Sequence, residues 1–190
     1  MYLRTLAVAA FAFPVLAFAQ ESQPSEAKVL VVERVIEAPV AKVWAAFTDP
    51  EVMRGWMAPH VEVELKVGGA IKTNYDPQGA IGDAKTIVNT ILCYDPQRML
   101  ALQNTKAPAD FPFAEGTVGT WSVTYFTALE GGKTHVKLVG LGWPDSEAGA
   151  KAYAFFERGN AYSLELLAKH LAGEAVRTPE SDGSDVPDGK

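Results

Sequence analysis

Three histidines and one cysteine are the side chains most readily put to metal or nucleophilic chemistry. His60, His135 and His170 fall on different stretches of the 190-residue chain. Their spacing is far from the close Cys/His clustering of a structural zinc site, so no metal site is expected. Cys93 alternates with Ile87, Asn89 and Ile91, the pattern of a buried, inert thiol on a strand. A single cysteine permits no internal disulfide. Neither a G-x-S-x-G elbow nor an H-E-x-x-H helix occurs. Gly68-Gly69 and Gly140-Leu141-Gly142 are too short to cradle a phosphate and read as turns. His60, Asp83 and Glu115, near strand ends or loops, are the candidate general bases, each with a competing reading as a solvated surface residue. No cofactor is expected.

The aromatic residues are more informative. Trp and Tyr join a large apolar area to a polar handle that needs a partner when buried. Trp121 and Tyr125 share a strand face with Val123, while Asn160 and Ser163 offer polar groups from a helix. Trp56, Tyr75, Trp121, Tyr125, Trp143, Phe156, Asn160 and Ser163 form the expected lining of one apolar pocket. A few polar groups converging in an apolar hollow are the usual form of a small-molecule site. Plain core packing is the competing reading for each ring, Phe155 included. Phe111-Pro112-Phe113 reads either as a lid over the mouth or as a surface loop with one anchored ring.

The elements that must position these residues follow from periodicity. Lys28 to Glu37 is dense in β-branched residues and predicts a strand. Val40, Val43, Trp44 and Phe47 recur at helical spacing after Pro39. Asp49-Pro50 then ends that helix and caps a second short one through Val52, Met53 and Trp56. His60 to Val67 alternates as a half-buried strand, and Gly68-Gly69 turns the chain into another over Ala70 to Tyr75. Further strands are predicted over Thr86 to Tyr94, Met99 to Gln103, Thr120 to Leu129 and Thr134 to Leu141. A long helix runs from about Ser146 to Ala172, with Asp145 as N-cap and Gly173 just past its end. Gly159 in its middle costs about 1 kcal/mol relative to Ala, so either an element approaches closely there or space is left. Meandering strands with one long helix predict an α+β fold.

Composition narrows the function. Met1 to Ala19 has a basic Arg4, an apolar stretch and a small-x-small end, the form of a signal peptide. Its apolar run is shorter than the roughly 20 residues of a membrane span, so no stable membrane insertion is expected after cleavage. Residues 20–27 read as a linker, 28–172 as the folded domain and 173–190 as a disordered acidic tail. A periplasmic or secreted location is expected, away from ATP, reduced nicotinamides and acyl-CoA. The formal charge of −6, with 17 Lys and Arg against 23 Asp and Glu and no basic block, argues against nucleic acid as a partner.

The same order of elements resembles the helix-grip fold of the START-like superfamily, also called SRPBCC or Bet v 1-like. The residues that carry the resemblance are Ala38-Pro39 to Val43-Trp44, Phe47-Thr48-Asp49-Pro50 and Trp56-Met57-Ala58-Pro59. Val67-Gly68-Gly69, Asp95 to Leu100 and Gly132-Lys133-Thr134 to Leu138 extend it. Together they are similar to the family named for the activator of Hsp90 ATPase. The resemblance implies a curved antiparallel sheet wrapped around a long C-terminal helix, two short helices after the first strand, and a cavity for a small apolar or amphipathic molecule. It does not fix one ligand. An exported chain would meet neither Hsp90 nor ATP, so Hsp90 is not expected as a partner. A cofactor-free enzyme of the cyclase or dehydratase kind, and an envelope interaction or chaperone-like module, remain open alternatives.

Overall fold

A computed structural model describes residues 28–108 and 110–176. The expected signal peptide, the linker and the tail from residue 177 lie outside the described residues. The first strand, β1 (Leu30–Ile36), leads into α1 (Val40–Thr48) and α2 (Pro50–Arg54). Six strands follow: β2 (His60–Val63), β3 (Ala70–Asn74), β4 (Ile87–Asp95), β5 (Met99–Lys106), β6 (Trp121–Leu129) and β7 (Lys133–Leu141). A 3-10 turn, Glu115–Thr117, precedes β6, and α3 (Glu147–Leu171) ends the domain.

The seven strands form one antiparallel sheet in the order β1-β7-β6-β5-β4-β3-β2. Only β1 leaves the meander, pairing with β7 from Leu30 opposite Gly140 to Ile36 opposite Thr134. The three helices stand on one face. The predicted helical stripe of α1 buries Val43, Trp44 and Phe47. Trp44 and Phe47 meet Phe126 edge-to-face at 5.5 and 5.2 Å between ring centres. Asp49 caps α2 as expected, its side chain accepting from the Glu51 and Val52 amides at 2.8 and 3.4 Å. Phe126 fixes the polarity of β6. Residues two apart share a face, so Ser122, Thr124 and Phe126 face the helices, and Trp121, Val123 and Tyr125 face away.

Three expectations change. The strand expected over His60 to Val67 ends at Val63. Gly68, at φ 77°, turns the chain early, and the Gly68 amide and Gly69 carbonyl bridge to Ile91 instead. Leu65 and Val67 are left exposed on that turn. Ser146, not Asp145, caps α3, its hydroxyl accepting from the Gly149 amide at 3.0 Å. Cys93 is exposed rather than buried. A register shift between Ile91 and Cys93 breaks the alternation, so Leu92 and Cys93 both face outward while Tyr94 turns back in to Trp44.

Helix α3 is gripped at both ends. Near its C-terminus Leu164, Leu166 and Leu167 are buried in the core with Val43, Met53 and Trp56. Gly173 follows at φ 82°, and Val176 packs back on the same core. Near its N-terminus Gly149 and Ala152 are buried, and the 3-10 turn lies against them. Gly116 makes that contact possible: a Cβ there would run into the Ala148 carbonyl oxygen and the Ala152 Cβ. Gly116→Ala is expected to lower stability by about 1–3 kcal/mol through overpacking, read as a lower urea midpoint with an unchanged slope.

Candidate functional site

Between its two grips α3 keeps to the β1 edge of the sheet. It packs closely on β1 and the 3-10 turn and touches α1, with no comparable approach to β3 to β6. A methyl group at Gly159 would meet no atom within 4 Å. Of the two sequence options for this glycine, the structure realises the open space. Phe156, Gly159, Asn160 and Ser163, along the middle of α3, are only half-buried. So are Asn89, Leu102, Asn104, Ser122 and Leu138, on the helix-facing side of the sheet. Half-buried residues on the helix-facing side mark surface that no neighbouring side chain fully covers.

The predicted residues divide into three groups. Trp143 and Phe156 are in contact, Asn160 and Ser163 are half-buried on the same helix, and Tyr75 packs against the core after β3. Trp143 lies over Gly140, where a Cβ would sit 3.2 Å from the indole Cζ2 and 3.3 Å from Nε1. Its ring meets Tyr153 and Phe156 at 5.5 and 5.8 Å. Its Nε1–H is buried and has no hydrogen-bond partner, alone in this among the described side chains. Trp56 instead belongs to the core under α1 and α2. It is 2% exposed, stacks edge-to-face on Phe47, and donates its Nε1–H to the Ala46 carbonyl at 2.9 Å. Trp121 and Tyr125 lie on the opposite face of the sheet, 37% and 45% exposed; the structure does not bring them to the hollow.

Tyr75 follows β3 and packs against the core while keeping some accessible surface. Burial pushes its phenol above the usual 10.0, opposed by a hydrogen bond from Thr73. The expected lid segment is anchored by both its rings: Phe113 stacks on Phe155 at 4.5 Å, and Phe111 meets Phe155 and Phe156 at 5.9 and 6.1 Å. Through Phe156 this cluster continues to Trp143.

None of the three nominated bases is poised over the hollow. His60 contacts the Pro77 carbonyl at 3.4 Å, and Glu115 is exposed in the 3-10 turn. Asp83 accepts from the Ala80 and Lys85 amides and from Asn74 Nδ2, each at 2.8–2.9 Å. The Ala80 amide leads in holding its carboxyl below the usual carboxylate range, away from the value of a base near neutral pH. The Asn74–Asp83–Thr86 network braces the loop after β3.

Polar wall residues were missed in the sequence reading. Asn104 donates to Asn89 Oδ1 at 3.2 Å across β4 and β5, and Ser122 lies opposite Leu102 and Gly140. The signal for Ser122 was the alternation of β6 itself, read with the wrong face inward. Two open surface hollows of about 530 and 560 Å³ lie elsewhere. One is at the β2 edge beside Arg54, Glu62 and Lys72, the other at the turns beside Gln97 and Thr127. Neither is lined by a predicted site residue.

A seven-stranded antiparallel sheet, two short helices after its first strand and a long terminal helix packed on the sheet define a helix-grip domain of the SRPBCC class. The chain belongs to the Activator of Hsp90 ATPase homolog 1-like protein family, whose model matches residues 37–172. Among solved structures it is similar to protein MLL2253 from Mesorhizobium loti, at 22% identity and a TM-score of 0.62, covering 78% of this chain and 100% of that one. It is similar to CalU16 from Micromonospora echinospora, at 20% identity and a TM-score of 0.56, covering 79% and 78%. The Aha1 dimer from Colwellia psychrerythraea gives 18% and 0.57, covering 76% and 96%. At these identities the likeness carries the fold alone. No curated protein matches the chain.

The two tryptophans make a paired test. Trp56→Phe loses a satisfied buried hydrogen bond and is expected to cost about 2 kcal/mol or more, whereas Trp143→Phe also removes an unpaired donor and is expected to stay within about 1 kcal/mol of the parent. Urea unfolding reads both. Tyr75 gives a pH signature. The unfolded phenol ionises first, so stability is whole below pH 10 and falls as pH rises past it; Tyr75→Phe removes that loss, measured as unfolding free energy between pH 9 and 11.

Proposed function

We propose that this domain is an exported, cofactor-free carrier that holds a small amphipathic molecule between α3 and the inner face of the sheet. Met1 to Ala19 supports export, and with it a periplasmic or extracellular place of work. The carrying observation is the buried, partnerless Nε1–H of Trp143 beside Phe156 and the Phe111–Phe113–Phe155 cluster. An unsatisfied buried donor costs about 1–3 kcal/mol, which an acceptor brought to it by a shift of the indole ring would recover. The aromatic walls suit a ligand's apolar body at roughly 25 cal/mol per Å² before the costs of binding. Asn160, Ser163 and the Asn89–Asn104 pair offer further polar contacts, so the ligand is apolar over most of its surface with one or two acceptors.

Native mass spectrometry of protein purified from cells expressing the full sequence tests both parts. The intact mass should correspond to cleavage after Ala19, and solvent extraction should release a bound small molecule. The fluorescent probe 8-anilinonaphthalene-1-sulfonate checks the location. Gly159→Leu places an isobutyl group in the open space and is expected to weaken probe binding at least tenfold while the circular dichroism stays unchanged. Equal binding by parent and variant would place the probe elsewhere and remove this reading.

A further inference from the structure

The outer face of the sheet carries the surface that the alternation of β6 turned away from the helices. Cross-strand register lines up Val31, Val139, Val123, Ala101 and Cys93 in one row across five strands. Trp121 flanks this row on one side and Tyr125 on the other, two residues either way along β6. Between them Val123 is covered to 7% exposure, while Val31, Val35, Trp121 and Tyr125 stay 37–45% exposed. With Val29 and Leu92, the exposed large side chains leave on the order of 500 Å² of apolar surface, at the top of what a monomer usually shows. Met99, Val139, Leu141 and Cys93 beside them bring the face close to the roughly 800 Å² per partner of a standard interface.

We propose that this face is the interface of a homodimer, with a second copy of the chain packed sheet on sheet. The charges select the symmetry. On the Tyr125 side the register sets Asp95, Met99, Tyr125, Lys137 and Glu33 in one row. On the Trp121 side the row is uncharged: Gln103, Trp121 and Leu141. A two-fold axis running along the central row lays each charged row on the other copy's uncharged row. Trp121 then covers the second copy's Tyr125, the Lys137 stem lies on Leu141, and no like charges meet. The alternative in-plane axis, along the strands, would press Glu33 against the second copy's Asp95. The selected axis sets the strands of the two sheets near antiparallel, the aligned packing of β-sandwiches. This inference does not rest on the carrier reading, since the hollow lies on the other side of the sheet.

Sedimentation velocity over a dilution series of the protein as purified from cells tests it. The expected result is a monomer–dimer equilibrium with twice the monomer mass at the concentrated end. Trp121→Glu and Val31→Lys, both at already exposed positions, should raise the dissociation constant at least about thirtyfold, the loss of one central anchor, with probe binding in the hollow unchanged. A monomer at every concentration, or a dimer that survives both substitutions, overturns the proposal. Should the variants misfold, Cys93 of the parent decides. Its labelling by a water-soluble maleimide should slow as protein concentration rises, and a rate independent of concentration overturns the interface.

Discussion

The structure depends on one helix being longer than the core that grips it. The 25 residues of α3 span about 38 Å, and apolar burial holds only its ends. Leu164, Leu166 and Leu167 lock the C-terminal half into the core of α1 and α2. Gly149 and Ala152 dock the N-terminal half against Gly116. The segment between carries Gly159, Asn160 and Ser163 where a filled core would carry Leu or Ile. The loose contact at the middle of the helix is therefore written into composition: small and polar residues at positions whose neighbours on the helix are large and apolar.

Architecture was legible because it depends on periodicity and on punctuation. The stripe Val40, Val43, Trp44, Phe47 could only be one face of a helix, and Asp49-Pro50 could only begin another. The late hairpin followed from two β-rich runs around Glu130-Gly131-Gly132. What failed was whatever depended on a choice that periodicity leaves open. Alternation along β6 says that Trp121, Val123 and Tyr125 share a face; it does not say which face. The usual preference for apolar residues inside selected the wrong one, because here Ser122 and Thr124 look inward and the aromatics look out. Cys93 failed for a related reason. One inserted residue reverses every facing beyond it, and nothing in Ile-Leu-Cys-Tyr marks the bulge.

The two faces of the sheet thus invert a simple amphipathic rule, and both inversions have a physical meaning. Asn89, Asn104 and Ser122 under a helix would be costly in a dry, filled core. They are tolerable where solvent or a bound molecule reaches them, and their half-buried state agrees with that. On the other side, a row of Val, Val, Val, Ala and Cys between Trp121 and Tyr125 is more apolar than a solvated strand face needs to be. A single sheet with one polar-dotted inner face and one apolar outer face has its two kinds of contact on separate sides. Occupancy of one does not obstruct the other.

The contrast between two tryptophans carries the weight of the functional reading. Trp56 and Trp143 are the same residue type, both packed among aromatic rings, and each hides its indole Nε1 from solvent. For Trp56 the fold supplies a carbonyl at 2.9 Å from a neighbouring helix. The same care appears at Asn74, whose side-chain amide reaches the Ala80 carbonyl and the Asp83 carboxylate, and at Thr134, whose hydroxyl donates to the Ala38 carbonyl at 2.7 Å. Elsewhere among the described residues the buried side-chain donors are satisfied. Trp143 departs from that rule where α3 passes the β1–β7 edge of the sheet, over Gly140 and beside Tyr153 and Phe156. Its N–H is closed in by those neighbours, so an acceptor meets it only when the ring or a neighbour shifts, and a molecule that is apolar around a single oxygen is the simplest one that fits such a donor.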